Sequence, residues 1–188
     1  YVLRQVDGWR LRWEDAITPD TVNCDATIKW LMDNMPAESG KASVIHNDYK
    51  MDNVIFCLQD PLQVIGVLDW EMSTVGDPLM DLGCTLGYWT QISDPDFFRE
   101  SRTMPSDVEG APTRAEIIAR FQQQTGLAVD NFPFYFCFGL FRLAVIGQQI
   151  YYRYYHGLTR DQRFAGFVKK THVLQQMCEL IISGKISS

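Results

Sequence analysis

Apolar side chains at Val2, Val6, Trp9 and Trp13 follow helical spacing at the start of the chain, which places all of them on one stripe. A helix packed through that stripe is predicted. Thr18 followed by Pro19 offers an N-cap with a first-turn proline, and Cys24, Ile28, Leu31, Met32 and Met35 form a second apolar stripe that Pro36 ends. The period then changes. After "PAESGKAS", which has loop composition, the runs "SVIHND", "NVIFCL" and "QVIGVLDW" are short and rich in β-branched residues, with the turn-like "QDPL" between the last two. Small strands around a loop are expected there.

Helical spacing returns at Asp77 and Pro78, a cap and first-turn proline for a helix with Leu79, Leu82, Leu86 and Trp89 on one face. The stretch "SDPDFFRESRTMPSDVEGAP" is polar and carries three prolines, so it reads as a long surface connection. Thr113 and Glu116 make a capping box ahead of Ile117, Ile118 and Phe121, and Gly126 stops that helix. Two longer helical patterns, roughly 134–155 and 159–182, finish the chain, the second with Phe164, Phe167, Val168, Thr171, Leu174, Cys178 and Ile181 on one face. The aromatic run from Tyr151 to Gly157 reads as a packed helix end. No internal repeat is present.

At 188 residues the chain suits one compact domain, and 46% hydrophobic with 13% aromatic residues is enough to fill its core. Lys and Arg number 17 against 23 Asp and Glu, a net charge of -6 that argues against a nucleic-acid partner, because phosphate backbones are bound by clustered positive charge. The five cysteines, Cys24, Cys57, Cys84, Cys137 and Cys178, form no C-x-x-C pair, and their odd number does not suit a closed disulfide framework. A reducing cytoplasm is the expected setting. "FPFYFCFGLF" meets Arg142 after ten residues, short of the ~20 that a spanning helix needs, so no membrane partner is expected. The opening "YVLRQVDGWR" shows no secretory signal, and the missing initiator Met suggests a removed upstream segment.

The chemistry concentrates between His46 and Asp81, where His46, Asp48 and Asn53 form H-x-D-x-x-x-x-N ahead of a strand pair that ends in Asp69. Phosphoryl transfer from a nucleotide needs a carboxylate to orient the attacking hydroxyl and oxygen ligands to hold Mg²⁺ against the phosphates. Asp48, Asn53 and Asp69 are the residues of those types, and a hairpin would return Asp69 to the end where Asn53 lies. His46 is expected to fix the loop by hydrogen bonding, and Asp77 and Asp81 to cap the following helix and brace the loop. Glu71 stays open, and so does Lys50, between a solvated loop lysine and a contact to phosphate or substrate.

"HNDYKMDNVIF" and "VLDWEMSTVGDPLMDLG" resemble the catalytic loop and metal segment of the aminoglycoside phosphotransferase and choline kinase-like family, and most closely its branch joined to acyl-CoA dehydrogenases. The resemblance extends more weakly over "YVLRQVDGW" and the C-terminal helices. It implies an α+β fold, the mostly helical C-terminal lobe of a protein-kinase-like structure with a small β-hairpin, over residues 1–188, with catalytic loop and metal segment at 43–81 and a helical subdomain at 82–188. By the same resemblance Asp48 is the catalytic base, Asn53 and Asp69 hold the cofactor as magnesium ligands, ATP is the co-substrate, and the acceptor is a small-molecule hydroxyl. The acyl-CoA dehydrogenase-linked branch points to a hydroxylated acyl or hydroxy-acid acceptor.

Before His46 the only glycines are Gly8 and Gly40 and the only lysines Lys29 and Lys41, so no Gly-rich phosphate loop and no strand lysine with a partner glutamate precede the motif. The nucleotide-covering N-terminal lobe is therefore expected to be absent, the chain alone to be nearly inactive, and apolar surface to be exposed for self-association. Two other readings remain open on the residues: a non-catalytic kinase-like binding module, and a metal-dependent phosphohydrolase that uses the same carboxylates with water.

Overall fold

In the computed structural model, which describes residues 1–37 and 40–186, the first apolar stripe is the buried face of helix α1 (Val2–Glu14), with Val2, Val6, Trp9 and Trp13 turned inward. Helices α2 (Asp25–Asp33), α3 (Pro78–Gly87), α4 (Asp96–Arg99), α5 (Arg114–Thr125), α6 (Phe132–Tyr155) and α7 (Phe167–Ile182) follow. Four strands, β1 (Ser43–Ile45), β2 (Val54–Phe56), β3 (Val64–Val67) and β4 (Thr74–Gly76), lie between α2 and α3. The result is an α+β fold dominated by helices.

The spine is α6, buried over most of its surface: Phe134, Phe136, Leu140, Phe141 and Val145 are all fully enclosed. A helix that is apolar around its circumference belongs inside a core. Helices α3 and α7 pack along it, with α1 against a further side. The approach of α3 to α6 depends on Gly83 and Gly139, whose backbones nearly touch. A Cβ on Gly139 would stand 2.2 Å from the Gly83 carbonyl oxygen, and one on Gly83 2.2 Å from that of Tyr135. Gly139→Ala therefore forces the two helices apart and is expected to lower stability by ~3 kcal/mol, the upper range for overpacking, read as a fall in the urea midpoint.

The strands make two separate antiparallel pairs. Strand β1 pairs with β4 in the register Ser43 to Gly76 and Ile45 to Thr74, and β2 pairs with β3 through Val54 to Val67, with an irregularity between Ile55 and Phe56. Periodicity does not reveal strand β4, since three residues ending in glycine leave no alternation to read. Gly76 is required where it stands: a Cβ there would lie 2.5 Å from the Tyr1 ring and 2.6 Å from Ile45.

Three expectations need correction. Helix α2 starts at Asp25 and not after Thr18, because the Thr18 hydroxyl bonds to Asp20 and Thr21 and takes a hydrogen bond from the buried Gln148 amide, while the Asn23 side chain accepts from the Asp25 N–H. The last helix starts at Phe167; Asp161 accepts from the Arg163 N–H and starts a 3-10 turn over Gln162–Gly166 instead. The polar connection after Ser93 is no mere surface strap, for it contains α4 and buries Asp94, Phe98, Met104 and Ser106. The capping box of Thr113 and Glu116 forms and Gly126 ends α5 in the left-handed region. Glu38 and Ser39 of the loop "PAESGKAS" lie outside the described residues.

Exposed apolar side chains gather on the β2–β3 hairpin and just beyond it, where Leu58 and Leu62 are more than nine-tenths exposed and Phe56, Ile65, Leu68 and Trp70 partly so. This is the face through which the expected self-association would run. Sedimentation velocity at high concentration tests it: association that Leu58→Gln with Leu62→Gln abolishes is the expected result, and a strict monomer overturns it. Among the described residues no helix is long and apolar enough to cross a membrane.

Candidate active site

The loop leaving β1 carries His46, Asn47 and Asp48, and its shape is fixed from below by Asp81 in α3. One carboxylate oxygen of Asp81 accepts from the His46 N–H at 2.8 Å and the other from the Asn47 N–H at 2.7 Å. Asn47 is left-handed, with φ of 65°, a conformation that asparagine tolerates better than most residues. Its side-chain amide donates to the Met72 carbonyl at 2.9 Å and so ties the loop to the segment after Asp69. Asp77 caps α3 by accepting from the Leu79 N–H at 2.8 Å. Both acids thus take the structural places expected of them.

His46 is 4% exposed and links the loop to the end of β3. Its Nδ1 accepts from the Asp48 N–H at 3.2 Å, which requires the proton on Nε2, and that nitrogen donates to the Leu68 carbonyl at 2.7 Å. The ring also packs on Trp70 at a centroid distance of 4.7 Å. A histidine with both nitrogens engaged by backbone holds geometry and has none left over to move a proton for a substrate.

Asp48 is the centre of a small network. Its Oδ2 accepts from Lys50 Nζ at 2.8 Å and from Asn53 Nδ2 at 3.1 Å, and its Oδ1 from the Tyr88 hydroxyl at 2.8 Å. Burial pushes the carboxyl up, but the hydrogen bonds from Lys50 and Tyr88, the Lys50 charge and the Asn53 amide outweigh it and hold Asp48 below the usual carboxylate range. Burial and the hydrogen bond to Asp48 push the Tyr88 phenol up in turn, so it remains a donor.

Asn53, 6% exposed, closes a single 3-10 turn over Met51–Asn53 and points its Nδ2 at both the carbonyl and the carboxylate of Asp48. No hydrogen bond takes its Oδ1 among the described residues. Asp69 reaches the same end of the hairpin by backbone pairing: the Leu68 N–H donates to the Asn53 carbonyl at 2.8 Å. It sits in the left-handed region with φ of 69°, a strained position for a side chain larger than glycine, and it is exposed. Its carboxylate makes no hydrogen bond or ion pair among the described residues. The structure therefore joins Asp48 and Asn53 by side-chain contact and delivers Asp69 beside them through the main chain.

The oxygen set left open is the Asn53 amide oxygen and the Asp69 carboxylate. That is hard-donor chemistry of the kind Mg²⁺ takes, with one or two protein oxygens and the remaining ligands from phosphate and water. Among the described residues no three His, Cys, Asp or Glu side chains gather as an all-protein metal cage. Glu71 is exposed at the next turn.

Next to Lys50 and Tyr88 a cavity of about 310 Å³ opens between α3, α4, α6 and α7. Its walls are mainly apolar, including Leu143, Ile146 and Ile150, with Arg102 and Lys170 also lining it. Tyr88 is the residue that periodicity missed. It lies off the stripe of Leu82, Leu86 and Trp89, and only the return of α3 under the loop shows that its hydroxyl meets Asp48.

Residues 1–117 match the phosphotransferase enzyme family, APH. The chain belongs to that family. It is 33% identical over 182 residues, 96% of its length, to acyl-CoA dehydrogenase family member 10 of Mus musculus. It is 32% identical over 160 residues to acyl-CoA dehydrogenase family member 11 of Homo sapiens. The chain spans only 16% and 20% of those two relatives. A crystal structure from Ralstonia eutropha, provisionally assigned as an aminoglycoside phosphotransferase, superimposes with a TM-score of 0.81 at 28% identity, covering 98% of this chain and 56% of that one. Together these make the fold kinase-like and the chain a phosphotransferase-family member.

Proposed function

We propose that the chain carries the catalytic loop and metal segment of a small-molecule kinase that transfers the γ-phosphoryl group of ATP to an acceptor hydroxyl. The observation that supports this reading best is the Asp48 carboxylate, held low by Lys50, Tyr88 and Asn53, two of which, Lys50 and Tyr88, also line a cavity large enough for an organic alcohol. Asp48 orients the acceptor hydroxyl and takes its proton. A carboxylate held low is a weak base, which suits a loose transition state in which the proton leaves late. Asn53 and Asp69 would hold Mg²⁺, which when bound would neutralise charge on the phosphoryl oxygens. The apolar walls of Leu143, Ile146 and Ile150 favour an aliphatic hydroxyl compound, and Arg102 and Lys170 suit an anionic end, as on a hydroxy acid. We place the reaction in the cytoplasm, where five free thiols stay reduced.

The test is incubation of the natural full-length gene product with Mg²⁺-ATP and a panel of hydroxy acids, choline and aminoglycosides, with ADP and phosphorylated acceptor read by mass spectrometry. Acceptor-dependent ADP supports the kinase. Free phosphate at the same rate without acceptor identifies a phosphohydrolase, and neither product identifies a binding module.

Lys50 makes a separate expectation. With Lys50→Met the largest of the interactions holding Asp48 low is gone, so its carboxyl moves up and the acidic limb of kcat moves to higher pH. A pH–rate profile with an unmoved acidic limb would show that Lys50 does not set the ionisation of the base.

A further inference from the structure

We propose that the chain contains a phosphate-binding site distinct from Asp48, Asn53 and Asp69, in a pocket of about 420 Å³ between α1, the loop residue Asn47 and α6. Three guanidinium groups, Arg4 and Arg12 of α1 and Arg142 of α6, line it, and no carboxylate does. In a chain of net charge -6 that is a local reversal of sign. None of the three arginines forms an ion pair among the described residues.

Arg142 is the decisive member. It is 2% exposed; its Nη2 reaches the Met72 sulfur at 3.6 Å, the guanidinium also meets the Cys84 thiol, and its Nη1 is buried with no hydrogen-bond partner. A buried guanidinium with an orphaned donor is destabilising unless an acceptor arrives. Asp81 and Asp48, acids whose charges reach this region, already have both oxygens engaged, Asp81 by the His46 and Asn47 N–H groups and Asp48 by Lys50, Asn53 and Tyr88. A bound anion would supply the acceptor that Nη1 lacks.

The cations are preset for it. The guanidinium carbons of Arg12 and Arg142 each stand 5.0 Å from the Trp9 ring, and that of Arg4 5.8 Å from Tyr1. One arginine fork satisfies a carboxylate, whereas three positive charges in a pocket with no carboxylate in its wall suit a dianion, so the ligand is a phosphate group. Either a free phosphate or a phosphomonoester has this chemistry, and the pocket has room for both. Because Asn47 belongs to its wall and directly precedes Asp48, occupancy would also stiffen the catalytic loop.

This inference goes beyond the kinase reading and does not depend on it, since binding is measured without nucleotide. The chain is titrated with inorganic phosphate, glycerol phosphate and acetate at ionic strength held constant with sodium chloride, by ³¹P line broadening and by the shift in Tm. Saturable binding of phosphate but not acetate is expected, weakened at least tenfold by Arg142→Met and severalfold by the exposed Arg4→Gln and Arg12→Gln, with Lys169→Gln as an unaffected control. Tighter binding of glycerol phosphate than of inorganic phosphate assigns the site to a monoester, and the reverse to the free ion. Should Arg142→Met not fold, the two exposed variants decide. An equal response to acetate, no saturation, or wild-type affinity in the arginine variants overturns the site.

Discussion

Asp48→Ala is expected to lower kcat for phosphoryl transfer by about 10²–10⁴-fold, the usual worth of a positioned general base, while leaving the KM for ATP within a few fold. The split follows from geometry. Asp48 meets Lys50, Tyr88 and Asn53, and the groups assigned to the metal are Asn53 and Asp69, so removing the base leaves the phosphate-holding oxygens in place. Asp48→Asn is the sharper variant, because it keeps the size of the side chain and loses only its charge and basicity. Asp69→Ala is expected to do at least comparable harm with a different signature, a raised requirement for Mg²⁺. Both are assayed in the full-length gene product after confirming an unchanged melting curve. Full activity in Asp48→Asn would remove the catalytic assignment, and an unaltered Mg²⁺ dependence in Asp69→Ala would remove the metal assignment.

Much of this arrangement was legible in the sequence because local rules decide it. The stripe of Val2, Val6, Trp9 and Trp13 needs only the helical period, and the Thr113–Glu116 box and the Asp77–Pro78 start need only their immediate neighbours. The order of His46, Asp48 and Asn53 was readable for the same reason, since a loop and one turn connect them. Features set by distant partners were not readable. Thr18 fails to cap because Gln148, far along the chain, takes its hydroxyl into a buried cluster. The Tyr88 hydroxyl meets Asp48 across forty residues, and the three residues of β4 are a strand only because β1 lies beside them. Asp69 stands between the two cases: its place at the hairpin end was foreseen, but the left-handed backbone that presents its carboxylate was not.

Asp94→Ala is expected to destabilise the fold by about 3–5 kcal/mol, the range for removing one partner of a buried ion pair. Asp94 and Arg114 are 1% and 0% exposed, and the carboxylate accepts from both terminal nitrogens of the guanidinium, at 2.5 and 2.8 Å. Without it the charge of Arg114 keeps only the Trp89 carbonyl at 3.0 Å and the face of Phe136, 4.6 Å from its guanidinium carbon. Neither replaces a counter-charge. The double variant Asp94→Leu with Arg114→Met removes both ions and is expected to recover most of the loss, because desolvation of the pair offsets much of its attraction. Urea unfolding of the two single variants and the double variant measures the coupling. The pair also pins the chain at Trp89, one residue from Tyr88, so Asp94→Ala should release the Tyr88 hydroxyl from Asp48 and lower kcat even at temperatures where the protein stays folded. A fully stable single variant would mean that the pair is not buried as described. A destabilised one with unchanged kcat would separate the brace from the catalytic network.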